Sequence, residues 1–274
     1  GNHGPPGREL YGTSVSQRNS RRNMGDHMYV DQELPDDEYT TETYQRYLKK
    51  FLRAVRGVDD NIGRLLDYLE ESDQLENTVI VYTADQGFML GEHDYIDKRW
   101  MYEESLRMPF IVRYPKQFKA GQRLDAIINN VDFAPTLLEL ADVKKPELMQ
   151  GRSFVSMLKG NAPPKDWPTA TYYRYWMHLA HHDNPAHYGI RTKEFKLIFF
   201  YGLPLDAPGA KKPATKPHWE LYDLRKDPHE MKNVIADPKY ATTLKRLKSE
   251  LNKLKASVGN ADAKYPQLRK IAQQ

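Results

Sequence analysis

Between Thr43 and Glu71, the residues Tyr44, Tyr47, Leu48, Phe51, Val55, Val58, Ile62, Leu65, Leu66 and Leu69 recur at intervals of three and four. That spacing places them on one face of a long helix, and an apolar stripe of this kind needs a cover. The pattern breaks at "ESDQLENT". The next run, "TVIVYT", is β-branched and nearly continuous in apolar character, as a buried strand is. A helix feeding such a strand is half of a crossover unit. It points to an α/β architecture with a mostly parallel sheet and flanking helices.

Residues 1–38 are polar and rich in Gly, Arg and Asn, and read as an irregular segment. "PFIVRYP" (109–115) is a short second strand bounded by prolines. "AIINNVDFAPTLLELADV" gives a strand-like piece and then a helix, with Asp132 as N-cap and Pro135 in the first turn. "GRSFVSMLKG" reads as a short helix or turn. Around "NAPPKDWP" (161–168) the character shifts. "TATYYRYW", "HYGIRT", "FKLIFFY" and "WELYDL" are short aromatic or β-branched runs that suit a small antiparallel sheet. "GLPLDAPGAKKPATKPH" is a Pro- and Lys-rich loop between two of its strands. A last helix spans Pro238 to Ala256, with Tyr240, Leu244, Leu247, Leu251 and Leu254 on one face. The expected division is an α/β part over residues 1–165 and a small α+β subdomain over 166–274.

Composition removes several functions. With 274 residues, 39% hydrophobic and 28% charged, the chain can build a core. The 41 Lys and Arg against 37 Asp and Glu give a net charge of +4. The basic residues are spread along the chain, which disfavours a nucleic-acid partner. No Cys is present, so disulfides, thiolate metal sites and a Cys nucleophile are excluded within these residues. No apolar run approaches the roughly 20 residues of a membrane span. The start, "GNHGPPGREL", has neither an initiator Met nor a signal-peptide core, and reads as the beginning of a fragment or processed product.

Chemistry concentrates in "VIVYTADQGFMLGEHDYIDK", Val79 to Lys98. Asp85 and Gln86 follow the strand directly, and Gly87 permits a sharp turn. A carboxylate and an amide carbonyl are hard oxygen donors. They suit Ca²⁺, with Mg²⁺ as the alternative, and match zinc poorly. Ca²⁺ takes about six to eight oxygens, so further ligands must come from elsewhere. Lys98, thirteen residues on, can neutralise a sulfate or phosphate oxygen. His93 can donate to an anion or orient a neighbour. The residues alone leave a second reading open: a plain turn, a solvated lysine and a packed histidine.

Taken together, "YTADQGFMLGEHDYIDKRWMYEESLRMPFIVRYP" resembles the second signature region of the sulfatase family, within the alkaline-phosphatase-like superfamily. The likeness continues through "NNVDFAPTLLELADV", "MQGRSF", "HYGIRT", "FKLIFFYG" and "ELYDLRKDPHEMKNV", covering about Tyr44 to Asn233. Within the family it is similar to bacterial N-acetylglucosamine-6-sulfatases and related arylsulfatases. The resemblance implies the C-terminal portion of an enzyme that hydrolyses sulfate esters of carbohydrates or aryl alcohols. Asp85 and Gln86 would ligate Ca²⁺, and Lys98 would hold the sulfate. Gln86 stands where relatives often carry Asn or His, and keeps an oxygen donor. The family's nucleophile is a formylglycine made from a C/S-x-P/A-x-R motif, and no such motif occurs here. The early Asp-Asp pair that completes the metal site also lacks a counterpart, since Asp36-Asp37 and Asp59-Asp60 do not follow a buried strand. Both features belong to an N-terminal half. The chain alone is therefore expected to have little or no activity, and to need that half. The family's extracellular substrates imply a periplasmic, secreted or lysosomal setting, although the chain carries no address of its own.

"WMHLAHHDNPAHYGIRT" adds candidates on the substrate side: His178, His181, His182, His187 and Arg191. His187 and Arg191 flank Gly189 at two residues either way, so a regular strand turns both to one face, where they can grip an anionic or hydroxylated sugar. The alternative is a surface His cluster with an ordinary strand Arg. Glu103, Glu104 and Arg107 read as scaffold ion pairs. Two further functions compete with the sulfatase reading. One is a phosphoesterase or phosphonate hydrolase of the same superfamily, and the other is a non-catalytic carbohydrate-binding relative.

Overall fold

The computed structural model describes residues 28–180, 183–260 and 262–272. The long helix α1 (Asp36–Glu71) starts eight residues before Tyr44, the first residue of the apolar stripe. Asp36, Asp37 and Glu38 occupy its first turn, where carboxylates meet the positive end of the helix dipole. The chain then divides into two units by contact. One holds Gly57–Asp85 and Met108–Thr171; the other holds everything up to Arg56, Gln86–Arg107 and Tyr172 onward. The stretch Gln86–Arg107 falls in the same unit as the C-terminal sheet.

In the first unit, β1 (Ile80–Thr83) pairs with β4 (Phe110–Arg113), Ile80 opposite Arg113 and Thr83 opposite Phe110. The pair is antiparallel, one of the small antiparallel sheets of this α/β chain. β1 is not deeply buried, since Tyr82 is 43% exposed. Helix α3 (Phe133–Leu140) and the short α4 (Val155–Leu158) carry the core of this unit, where Phe154, Met157 and Trp167 pack with Phe110, Phe133 and Leu140. Asp132 does not cap α3 with its side chain. Its carboxylate turns back to accept from the backbone N–H of Asn129 and of Arg152, both at 2.8 Å. "AIINNV" forms no strand; only a 3₁₀ turn, Asn130–Asp132, is regular there.

In the second unit, β2 (Met89–Leu90) and β3 (Ile96–Asp97) form a small antiparallel pair, followed by one turn of helix, α2 (Glu103–Leu106). Four strands then build a sheet in the order β5 (Ala170–Tyr175), β6 (His187–Thr192), β7 (Phe195–Phe200), β8 (His218–Asp223). The β6–β7 and β7–β8 pairings are antiparallel. Met89, Tyr95, Trp100, Met101 and Tyr102 pack with Ile198, Phe200 and Tyr222 into one apolar cluster. Each large side chain buried this way contributes about 1.5–3 kcal/mol. Helix α5 (Ala241–Ser257) buries Leu247 and Leu251, and α6 (Pro266–Ile271) buries Leu268.

Candidate functional site

β1 ends at Thr83, and after Ala84 come the exposed Asp85 and the half-buried Gln86. Neither side chain makes a hydrogen bond or ion pair among the described residues. Their oxygens are uncommitted. Gly87 is buried, and its N–H donates to the Ser105 carbonyl at 3.0 Å. A Cβ there would lie 2.1 Å from the Glu104 carbonyl oxygen and 2.5 Å from that of Arg107. The backbone of α2 thus fills the side-chain space, and glycine is required.

Lys98 follows β3 in a backbone of unusual shape. Gly91 has φ 120°, and four non-glycine residues also take positive φ: His93 (56°), Asp94 (67°), Asp97 (71°) and Arg99 (86°). Such conformations cost about 1–3 kcal/mol each and persist where packing over-determines them. Here the buried Tyr95, Trp100 and Tyr102 do so, with Tyr95 and Trp100 stacked at 4.5 Å between centroids. The Asp97 carboxylate is paired with the Arg99 guanidinium, and the Tyr173 hydroxyl donates to the Arg99 carbonyl at 3.1 Å. Lys98, between them, is half-buried, and its ammonium has no carboxylate partner among the described residues.

His93 is held differently. Its ring is buried, stacks on Tyr102 at 4.5 Å, and sets Nε2 3.4 Å from Glu104 Oε2. Burial opposes ionisation of Glu104, but the His93 contact outweighs it and holds the carboxyl below its usual range. The ring therefore ties the Lys98 loop to α2, which suits an orienter better than an anion donor. Next to Glu104, the Glu103 carboxylate accepts from Arg191 Nε and Nη2 at 3.2 and 3.1 Å and pairs with Lys196 Nζ at 2.9 Å. Burial works against that charge, yet Lys196 and Arg191 prevail and bring the Glu103 pKa to about 2.

The ligand atoms of His93, Glu104 and Glu230 lie within 4.8 Å of one another, a spacing that a metal ion could use. The surroundings argue otherwise. Lys196 Nζ is 2.7 Å from Glu230, and the Glu103 N–H donates to the same carboxylate at 2.7 Å. A fully buried ammonium already supplies the positive charge there, and a divalent cation would face it.

The substrate-side candidates fare differently from Asp85, Gln86 and Lys98. His178 is buried with both ring nitrogens on the backbone: Nε2 to Pro213 O at 2.8 Å, and Nδ1 accepting from Ala186 N–H at 3.0 Å. His187 and Arg191 do share one strand face, as alternation requires, but the His187 end of that face is interior. His187 is fully buried among Trp100, Tyr173, Tyr175 and Phe200, and burial brings its pKa down to about 4. Arg191 is spent on Glu103. These three side chains are engaged in packing and bracing the sheet, and none presents an uncommitted donor as Lys98 does. His181 and His182 lie outside the described residues. Sequence reasoning also missed Lys196, Glu230 and Glu220, the last accepting from the Tyr102 and Tyr222 hydroxyls at 3.0 and 2.8 Å. One signal was available: Lys196 interrupts "FKLIFF", every residue of which is buried.

This scaffold, with its strand-end oxygen donors and lysine loop, is of the alkaline-phosphatase-like class. Residues 91–257 match the family model described as N-sulphoglucosamine sulphohydrolase, C-terminal, and residues 23–143 match the model described as Sulfatase. The chain belongs to the sulfatase family. It is 49% identical over 205 residues to an N-acetylglucosamine-6-O-sulfatase of Bacteroides thetaiotaomicron, covering 74% of this chain and 35% of the relative. To an ulvan-active sulfatase of Formosa agariphila it is 29% identical, covering 94% of this chain and 46% of the relative. Among solved structures it is similar to BT4656 in complex with its substrate D-glucosamine-2-N,6-O-disulfate. The TM-score is 0.75 and the identity 42%, over 88% of this chain and 46% of the other. A phosphonate monoester hydrolase from Silicibacter pomeroyi matches with TM-score 0.68 and 26% identity, over 89% of this chain and 47% of the other. The chain spans less than half the length of these relatives.

Proposed function

We propose that this chain is the C-terminal portion of a sulfatase acting on sulfate esters of a sulfated glycan, with a 6-sulfated hexosamine as the first candidate. One observation carries the reading. Asp85, Gln86 and Lys98 are free of structural partners among the described residues, while every other described candidate is committed to packing or ion pairs. Lys98 would bind a sulfate oxygen by charge-assisted hydrogen bonds. Asp85 and Gln86 fit a hard divalent cation, Ca²⁺ first, and supply two of its oxygens. When bound, that cation would supply Lewis-acid charge to the sulfate oxygens. The strained Lys98 loop, fixed by His93 and Glu104, keeps the ammonium from relaxing onto a neighbouring carboxylate. The formylglycine nucleophile and the remaining metal ligands would come from residues outside these 274.

Turnover of a 6-O-sulfated hexosamine, compared with the matching phosphate ester by the complete enzyme, tests this. Lys98→Ala is expected to lower kcat/KM about 10²–10³-fold, as loss of one aimed charge donor does. Asp85→Ala is expected to abolish Ca²⁺ binding in calorimetry. Retained turnover in both variants would overturn the reading. The likeness to the phosphonate monoester hydrolase supports a second reading, a phosphonate or phosphate ester hydrolase. Preference for the phosphate ester would favour it.

A further inference from the structure

Residues 172–274 carry 19 Lys and Arg against 10 Asp and Glu, whereas residues 1–171 carry 22 against 27. The acids of the basic segment are moreover withdrawn from solvent or already used. Glu220, Asp223 and Glu230 are buried. Asp183, Glu194, Asp206, Glu250 and Asp262 pair with Lys211, Arg225, Lys264, Arg246 and Lys255. The remaining two, Asp227 and Asp237, accept from backbone N–H groups, so the excess charge of this segment is cationic.

On α5, Lys245, Lys248 and Asn252 recur at i, i+3 and i+7 and so form one stripe, with the exposed Lys253 beside it. None of the three lysines has a carboxylate partner among the described residues. Lys248 stands apart from an ordinary solvated lysine. Its Nζ lies 4.2 Å from the centre of the Trp219 ring, and burial pushes its pKa down with no carboxylate to offset it. The Trp219 indole N–H likewise has no acceptor among the described residues. Lys248 is thus a partly desolvated donor without a carboxylate at this edge of β8, and an anion would repay its lost hydration.

We propose that the Lys245–Lys248–Asn252 stripe of α5, with Trp219 at its edge, is a docking face for a sulfated polysaccharide chain. Sulfate groups offer acceptors only, which complements the lysine ammonium groups and the NH2 of the Asn252 amide. A single-stranded nucleic acid is a poorer fit, because it needs an open aromatic face for its bases. Trp219 has none: Phe199 stacks on one side at 4.4 Å, and Lys248 covers its ring. The stripe sits on the sheet face that carries Tyr188, where Lys255 lies 3.9 Å from the Tyr188 ring. Trp100 and His187 pack on the other face, so a chain bound to α5 does not compete with the Lys98 loop. The choice of a sulfated polysaccharide rests on the proposed function, whereas the cationic face does not, and it can be measured without turnover.

The experiment is heparin binding by the full chain, titrated across salt concentrations. The variant Lys245→Gln/Lys248→Gln is expected to bind about tenfold more weakly at fixed salt. Its slope of log affinity against log salt should be shallower by about 1 to 2, as counterion release requires when two contacts are lost. Lys211→Gln/Lys264→Gln, which removes the same charge from exposed but paired lysines, is the control and should change both quantities far less. Equal losses in the two variants would mean that only net charge matters, and would overturn the docking face. Duplex DNA or polyglutamate bound as tightly as heparin at the same salt would overturn the assignment to a sulfated polysaccharide. Heparin binding is read without turnover, so this outcome stands or falls separately from the catalytic reading.

Discussion

His187 shows what a single buried imidazole does to this molecule. Its Nδ1 lies 2.8 Å from Pro185 O, Nε2 has no partner, and aromatic rings surround it. Burial holds its pKa at about 4 in the folded chain, against the ordinary 6.5. The unfolded chain thus takes up the proton first as pH falls, and stability is lost from about pH 6.5 down to about pH 4. His187 alone should cost about 2 kcal/mol between pH 7 and pH 5. Urea unfolding at the two pH values, compared with His187→Phe, measures it. The variant should show a weaker pH dependence, and an identical one would remove His187 as the cause. Strand alternation in the sequence was enough to put His187 and Arg191 on one face. Which face is interior depends on Trp100 and Phe200, which lie 87 and 13 residues away along the chain, and no local pattern reports that.

At the scale of elements, the one-turn helix α2 matters more than its four residues suggest. Its Glu104 meets His93 of the Lys98 loop, its backbone walls in Gly87, and its Glu103 holds Arg191 and Lys196 of the sheet. Removing the Glu103 charge leaves a fully buried lysine with Glu230 alone and Arg191 unpaired. Glu103→Gln should therefore cost about 3–5 kcal/mol. The expected reading is a lower urea midpoint with an unchanged m value, and a loss within about 0.5 kcal/mol would refute the bracing role. Local periodicity made α1, β6, β7, β8 and α5 legible, and the run of motif residues marked Asp85, Gln86 and Lys98. The antiparallel β1–β4 pairing was not legible, because register between strands about 30 residues apart is set by tertiary packing. The Glu103–Lys196–Glu230 cluster was hidden for the same reason, its members being spread over 127 residues.

For the molecule as a whole, the sequence shows an apolar stripe on α1 that needs a cover but cannot say what supplies it. Among the described residues only Tyr39 and Thr43 of α1 are buried; Val55, Val58 and Leu65 of the stripe are 46%, 51% and 54% exposed. A run of exposed apolar residues along one helix is uncommon on a monomer and marks a surface that associates. The 274-residue chain is therefore expected to self-associate as its concentration rises, visible as an increasing weight-average mass in sedimentation equilibrium. Val58→Lys/Leu65→Lys places two charges in the stripe where the side chains are half exposed. Each change should alter unfolding free energy by less than about 0.5 kcal/mol while suppressing the association. A wild-type chain that stays monomeric at every concentration would show that the stripe is not an associating surface. Association that survives both lysines would place the sticky surface elsewhere, and the exposed Ile111 and Tyr82 of the β1–β4 pair would be the next to substitute.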